Sequence, residues 1–371
     1  MKNITKIDPF MKILDPTIKD IVWVSPLNSS MFNAFGSDCF YESDYARLNK
    51  KDRQAVKKIS PSVEWLSKHS SGIQLKFKTD STRILVDVEL RAKHDMPHMP
   101  ATSQCGFDLY VYDENLKDYV LHNVTKYPVQ NKKYCVDLSS FNIVSKEIKM
   151  RSYILNFPLY QGVKSLRIGL DINSNTFPID YENKGKIVLY GTSIAQGGCV
   201  SRPGLMYSNI LSRWLDIEFI NHGYSGSAML EPIMGDILGK IKNQKLLIID
   251  AEANAGCDMT MQQNLENFIN NYKKNSPNVP ILLVSRCLFN LDLFDNRKVE
   301  LNKHYEIFLK KLVKKLRAKG HKVYFLNGSK FFENTDFNFS EFTVDGVHPT
   351  DFGNYLFAKH HYKTIKKILN I

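Results

Sequence analysis

No stretch of the 371 residues offers the roughly 20 consecutive apolar residues that a membrane-spanning helix needs. The longest apolar runs, such as Leu246-Leu247-Ile248-Ile249, fall far short, so no membrane span is expected. Residues 1–20 lack the apolar centre of a secretion signal, because their lysines alternate with Asp8, Asp15 and Asp20. The chain as given therefore reads as cytoplasmic, or as exported if a leader has been removed. Cysteine is scarce: the six, at positions 39, 105, 135, 199, 257 and 287, form no C-x-x-C pair and read as reduced thiols rather than as staples. Three motif classes are also missing. No G-x-S-x-G elbow occurs, which argues against a conventional α/β-hydrolase. Gly235 to Lys240 is one residue too short for a phosphate loop and has no Ser or Thr after the lysine. His94 and His98 have the spacing of a metal pair, but Pro97 opposes a helix there and no glutamate follows His94, so neither metal nor cofactor is called for.

What is present is a soluble globular composition, with 43% hydrophobic, 12% aromatic and 24% charged residues. That profile excludes collagen, disorder and disulfide scaffolds, and the length suits two domains. Lys and Arg number 50 against 38 Asp and Glu, a net charge of +12. Such a surplus can attract nucleic acid, but here the basic residues are scattered. The densest group, Lys310, Lys311, Lys314, Lys315, Arg317 and Lys319, lies at helical spacing opposite Leu301, Tyr305, Phe308, Leu309, Leu312 and Leu316. It reads as the solvated face of a helix, and no nucleic-acid partner is expected.

The pattern changes near residue 180. From about 22 to 172 it has period two: Ile73, Leu75 and Phe77 alternate with Gln74, Lys76 and Lys78, while Val86, Val88 and Leu90, following Ile84, alternate with the charged Asp87 and Glu89. The same holds for Leu166, Ile168, Leu170 and Ile172. These predict half-buried antiparallel strands, hence a jelly-roll-like β-sandwich over residues 1–180. Over residues 181–371 short, wholly apolar strands at 187–190, 246–249, 281–284 and 323–326 alternate with amphipathic helices near 206–215, 264–274, 300–319 and 352–369. That texture predicts an α/β domain, a flavodoxin-like three-layer fold around a parallel sheet.

In such a sheet, chemistry belongs at the carboxyl ends of the strands. Four loops fall there or before the last helix: Tyr190-Gly191-Thr192-Ser193, Asn221 to Ser227, Asp250-Ala251-Glu252-Ala253-Asn254, and Asp345-Gly346-Val347-His348. Serine, glycine, asparagine and histidine follow one another in that order. The constellation resembles the SGNH hydrolases, the GDSL-type esterases, over roughly residues 185–371. The resemblance implies Ser193 as nucleophile, His348 as base and Asp345 as its orienting acid. It also implies an oxyanion hole made by Ser193 N–H, Gly226 N–H and the Asn254 amide. The residue types suit acyl transfer: serine needs a base to accept its proton, histidine can take and return one, and a carbonyl oxygen turning anionic needs preplaced donors. Thr192 stands where the family has aspartate, and Ala255 where aspartate often follows the asparagine. Neither is the implied nucleophile, base or hole donor. Ser225, the rival serine, reads as a turn residue, and His360-His361 as surface.

The first half carries a second resemblance. Ser71-Gly72-Ile73, Met96-Pro97-His98-Met99-Pro100 and Gly106-Phe107-Asp108-Leu109-Tyr110 are similar to the β-rich Gly-x-Asp-Leu-Tyr domain that precedes a subset of these hydrolases. This implies a short acyl ester, O-acetyl on a carbohydrate, as substrate. Met96, His98, Met99 and Arg202 are then candidates to line the substrate site. An acyltransferase using the same triad, and a glycan-binding protein on a non-catalytic hydrolase scaffold, are the alternatives. Oligomeric state is not legible in the sequence.

Overall fold

The computed structural model describes residues 4, 7, 8, 11–13, 15–139, 149–333 and 335–371. Ten antiparallel strands come first: β1 (Ile21–Val24), β2 (Asn33–Phe35), β3 (Gln74–Thr79), β4 (Ile84–Leu90), β5 (Asp108–Asp113), β6 (Asp118–Val124), β7 (Lys133–Asp137), β8 (Arg151–Asn156), β9 (Val163–Asp171) and β10 (Thr176–Pro178). One sheet has the order β1-β9-β4-β7, the other β10-β3-β8-β5-β6, with β2 also paired to β3. The alternating apolar residues face each other across the sandwich, where Leu75, Phe77, Ile84, Val86, Val88 and Ile168 close around Phe32, Phe107 and Phe157. Each such side chain stabilises the sandwich by about 1.5–3 kcal/mol through burial.

The opposite face of β3 departs from simple alternation. Gln74 and Lys76 read as solvent-facing, yet each is 1% exposed. The reason is tertiary: the second half of the chain lies over this face. Lys76 pairs with Asp216 at 3.1 Å and sits over the Tyr181 ring, while Gln74 bonds Asn156 at 2.6 Å.

Five parallel strands follow, β11 (Asn183–Gly191), β12 (Ile217–Gly223), β13 (Gln244–Asp250), β14 (Ile281–Val284) and β15 (Val323–Leu326), in the order β12-β11-β13-β14-β15. β12, β14 and the second halves of β11 and β13 are buried on both faces, as a parallel sheet covered by helices requires, while the edge strand β15 is half-buried beyond Val323. Ten helices occur among the described residues: α1 (Lys50–Lys57), α2 (Pro61–Leu66), α3 (Ala101–Gln104), α4 (Ser193–Gln196), α5 (Tyr207–Leu215), α6 (Pro232–Gly239), α7 (Glu252–Ala255), α8 (Thr260–Asn275), α9 (Asn296–Ala318) and α10 (Asp351–Leu369). Helices α6, α8 and α9 cover one face of the parallel sheet, and α5 and α10 the other.

Two helices are out of place in sequence terms. Leu48, Val56, Val63 and Leu66, on and beside α1 and α2, pack with Val188, Ile220, Met234 and Leu238 of the parallel-sheet layers rather than inside the sandwich. Part of the first 180 residues is thus built into the core of the second half. No described helix is long and apolar enough to cross a membrane.

Strand register places the site. Gly191, the last residue of β11, lies level with Gly223 on one side and Asp250 on the other. The loops carrying Ser193, Gly226 and Asn254 therefore leave the sheet at one height.

Candidate active site

Ser193 opens α4, with Thr192 as N-cap accepting a hydrogen bond from Ile194 N–H. Its side chain is in a crevice; the residue is 8% exposed. Across the crevice, the segment before α10 is tied by Val344 N–H donating to the His348 carbonyl at 2.8 Å and by Asn290 N–H donating to the Gly346 carbonyl at 2.9 Å. Asp345 folds this turn onto itself: Oδ1 accepts from Val347 N–H at 3.0 Å and from His348 N–H at 2.8 Å. Its other oxygen, Oδ2, lies 2.7 Å from His348 Nδ1, and His348 Nε2 lies 2.8 Å from Ser193 Oγ.

Partial burial pushes the Asp345 carboxyl up, but donation from the His348 backbone and ring outweighs it and holds the group below the usual carboxylate range. An ionised Asp345 makes Nδ1 the protonated nitrogen. The Nε2 lone pair is then left for the serine hydroxyl proton. Close approach of the ring depends on Gly198, where a Cβ would lie 2.9 Å from His348 Cδ2.

The other two implied donors lie on the segments that follow β12 and β13. Gly226 has φ +64°, a left-handed turn position that favours glycine, and open space where a side chain would be. Its N–H takes no partner among the described residues. Asn254, on α7, accepts from Ala228 N–H through Oδ1 at 3.4 Å, which ties it to the Gly226 loop and leaves Nδ2 free to donate elsewhere.

The remaining candidates divide. Met96 lines a cleft of about 400 Å³ with Trp65, Pro97, Tyr160, Ser225 and Ser227. His98 comes within 3.7 Å of Asp345 Oδ2. Met99 and Arg202 are engaged by the protein itself. Met99 is 3% exposed and packs against Leu159, Tyr160, Val200 and Met206. Arg202 is an interface ion pair: its guanidinium meets Asp108 at 3.3 Å and the Tyr110 hydroxyl. Asp108 also accepts from Gly204 N–H at 2.7 Å and Asn156 at 2.6 Å, so the acid and tyrosine of Gly-x-Asp-Leu-Tyr clamp the two halves together. His361, expected at the surface, is fully buried and stacked on Tyr207.

Several supporting residues escape sequence reading because their partners are remote in the chain. Gln196, one turn after Ser193, accepts from Ser225 N–H at 2.9 Å and so couples the serine helix to the Gly226 loop. Tyr160 donates to the Ser193 carbonyl at 3.0 Å. Gln104 accepts from both Asp95 and Met96 N–H at 3.2 Å, holding the loop that carries His98. Buried Arg47 donates to the carbonyls of Leu66, His69, Asn221 and Gly223. A polar residue one turn from the serine was the only local hint, and it concerned Gln196.

Residues 184–366 match the GDSL-like lipase/acylhydrolase family, and residues 21–176 match the Gly-x-Asp-Leu-Tyr N-terminus of SGNH-hydrolase-type esterases. The chain is a GDSL-type SGNH hydrolase. Members of this family are carboxylic ester hydrolases, and this enzyme is one of them. A Bacteroides ovatus protein described as a GDSL-like lipase shares 26% identity with this SGNH hydrolase over 95% of this chain and 98% of its own, at a TM-score of 0.82. The salicylyl-acyltransferase SsfX3 of a tetracycline biosynthetic pathway has a TM-score of 0.74 at 17% identity, covering 94% of this chain and 98% of that one. A family two carbohydrate esterase of Clostridium thermocellum, solved with cellohexaose, has a TM-score of 0.57 at 14% identity over 81% and 93% of the two chains. These last two share the fold. No curated protein matches the chain.

Proposed function

We propose that this SGNH hydrolase removes short acyl groups, O-acetyl among them, from a carbohydrate, through an acyl-enzyme on Ser193. The observation that carries the reading is the unbroken relay from Ser193 Oγ to His348 Nε2 at 2.8 Å and from His348 Nδ1 to Asp345 Oδ2 at 2.7 Å. His348 takes the hydroxyl proton as Ser193 Oγ attacks the ester carbon. The carbonyl oxygen, now anionic, is received by Ser193 N–H, Gly226 N–H and Asn254 Nδ2. His348 returns the proton to the leaving alcohol, and water, deprotonated by the same imidazole, releases the acid.

The cleft that supports the substrate class is lined by Tyr160, whose hydroxyl donates to the Ser193 carbonyl. Its volume of about 400 Å³ suits a small ligand rather than a long acyl chain. The exposed Trp65 offers a flat apolar face at its rim on which a sugar ring can lie. The carbohydrate esterases that share the fold support the same reading. An active-serine phosphonate should label Ser193, and turnover of aryl esters should fall steeply beyond the shortest acyl chains and extend to acetylated glycans. Absence of labelling would leave a glycan-binding protein on this scaffold. Preference for long chains would discard the acetyl reading.

The likeness to SsfX3 favours a second reading, transfer of the acyl group to an acceptor alcohol in place of water. Products of an assay run with excess sugar separate the two: free acid supports hydrolysis, acylated sugar supports transfer.

A further inference from the structure

We propose that His98, Cys199, Asp345 and His348 form an inhibitory metal site, taking Zn²⁺ or a similar thiophilic divalent cation, whose occupancy removes His348 from Ser193. One ligand atom from each of the four lies within 4.8 Å of all the others. The set is assembled by tertiary structure: His98 comes from the loop between β4 and α3, Cys199 from the turn after α4, and Asp345 and His348 from the segment before α10. Two imidazoles, a sulfur and a carboxylate are the donor types zinc prefers. Tetrahedral zinc holds such donors about 3.4–3.8 Å apart. Asp345 Oδ2 already lies 2.7 Å from His348 Nδ1 and 3.7 Å from His98 Nε2. His98 has an exposed side chain and can close the remaining distance by rotation. His94, four residues earlier, is not part of the set: its Nε2 lies 2.9 Å from the Met99 carbonyl.

Inhibition follows whichever nitrogen of His348 is used. A metal on Nε2 takes the lone pair that faces Ser193. A metal on Nδ1 requires the other tautomer: the ring proton passes through solvent from Nδ1 to Nε2, so the ring donates to Ser193 Oγ instead of accepting from it. Either way the serine has no base. Coordination also converts the Cys199 thiol to thiolate and releases its proton to solvent.

The loss of activity rests on the serine-esterase reading; the coordination does not. The test titrates the full chain with buffered Zn²⁺ while following hydrolysis of an aryl acetate, and separately with Co²⁺ while following its near-ultraviolet thiolate charge-transfer band. Zinc should inhibit reversibly, with activity restored by a chelator. Cys199→Ala should turn over at the wild-type rate without metal and need at least about tenfold more zinc for half-inhibition. The cobalt band should appear in the wild type and vanish in Cys199→Ala, and His98→Ala should weaken cobalt binding about tenfold or more. Equal zinc sensitivity of wild type and Cys199→Ala, or a wild type without the cobalt band, would overturn the proposal. If metal-free wild type neither turns over nor labels at Ser193, the esterase reading fails while the cobalt band still decides the site.

Discussion

The guanidinium of Arg47 donates to the carbonyl of Gly223 over 2.7 Å, joining a residue that precedes the sandwich strand β3 to the last residue of β12. Three residues beyond that carbonyl is Gly226. Arg47 is 2% exposed, has only carbonyls as hydrogen-bond partners and lies over the Tyr224 ring. It therefore braces the start of the loop that carries Gly226.

Removing the brace should cost both stability and rate. Arg47→Met strands several buried carbonyls, a loss on the order of 3 kcal/mol in denaturant unfolding. If the loop relaxes, kcat should fall about tenfold or more with KM less affected. A destabilised variant with wild-type kcat would make Arg47 a packing residue without influence on the site.

The serine and histidine should behave as one unit. Ser193→Ala and His348→Ala should each lower kcat by about a thousandfold or more, with the double variant little worse than either. Losses that multiply in the double variant would show the two residues acting separately.

Asn254→Ala addresses the hole. Its amide matters most once the carbonyl oxygen bears charge, so kcat should drop by about 10²–10³ with a smaller change in KM. The motive is the Asn254 link to Ala228 N–H, which fixes the amide beside Gly226. A rise in KM at unchanged kcat would instead make Asn254 a substrate-binding group.

Asp250 predicts a stability profile. Full burial, only partly offset by the Tyr207 hydroxyl at 3.2 Å, pushes its carboxyl up to about 7. Between the unfolded value near 4 and about 7 the unfolded chain has lost this proton while the folded one keeps it. Stability should therefore fall as pH rises through that window and flatten above it. Asp250→Asn keeps the shape and the acceptor but cannot ionise. It should raise the unfolding free energy at pH 8 by up to about 4 kcal/mol, read as a higher denaturant midpoint, and change little at pH 4. An unchanged midpoint at pH 8 would mean that Asp250 is not a buried ionisable liability.

What the sequence determined by itself was local or periodic. Alternation in 84–90 and 166–172 marks strands because side chains project to opposite faces every second residue, and the apolar runs at 246–249 and 281–284 mark strands covered on both sides. Ser193, Gly226, Asn254, Asp345 and His348 stood out as candidates because they lie after strands or before the last helix, in an order that resembles the SGNH hydrolases. Tertiary structure alone decided which faces are covered and which donors meet. Gln74 and Lys76 look solvent-facing but lie under the second half, and helices α1 and α2 belong to its core, because docking buries surface that neither period reveals. Arg202 turns to Asp108, and His98 and Cys199 reach the triad, since a charge or a ligand atom finds its partner through space at separations of about 100 residues or more. Periodicity encodes burial along one element; the pairing of remote polar groups is fixed only when the elements pack.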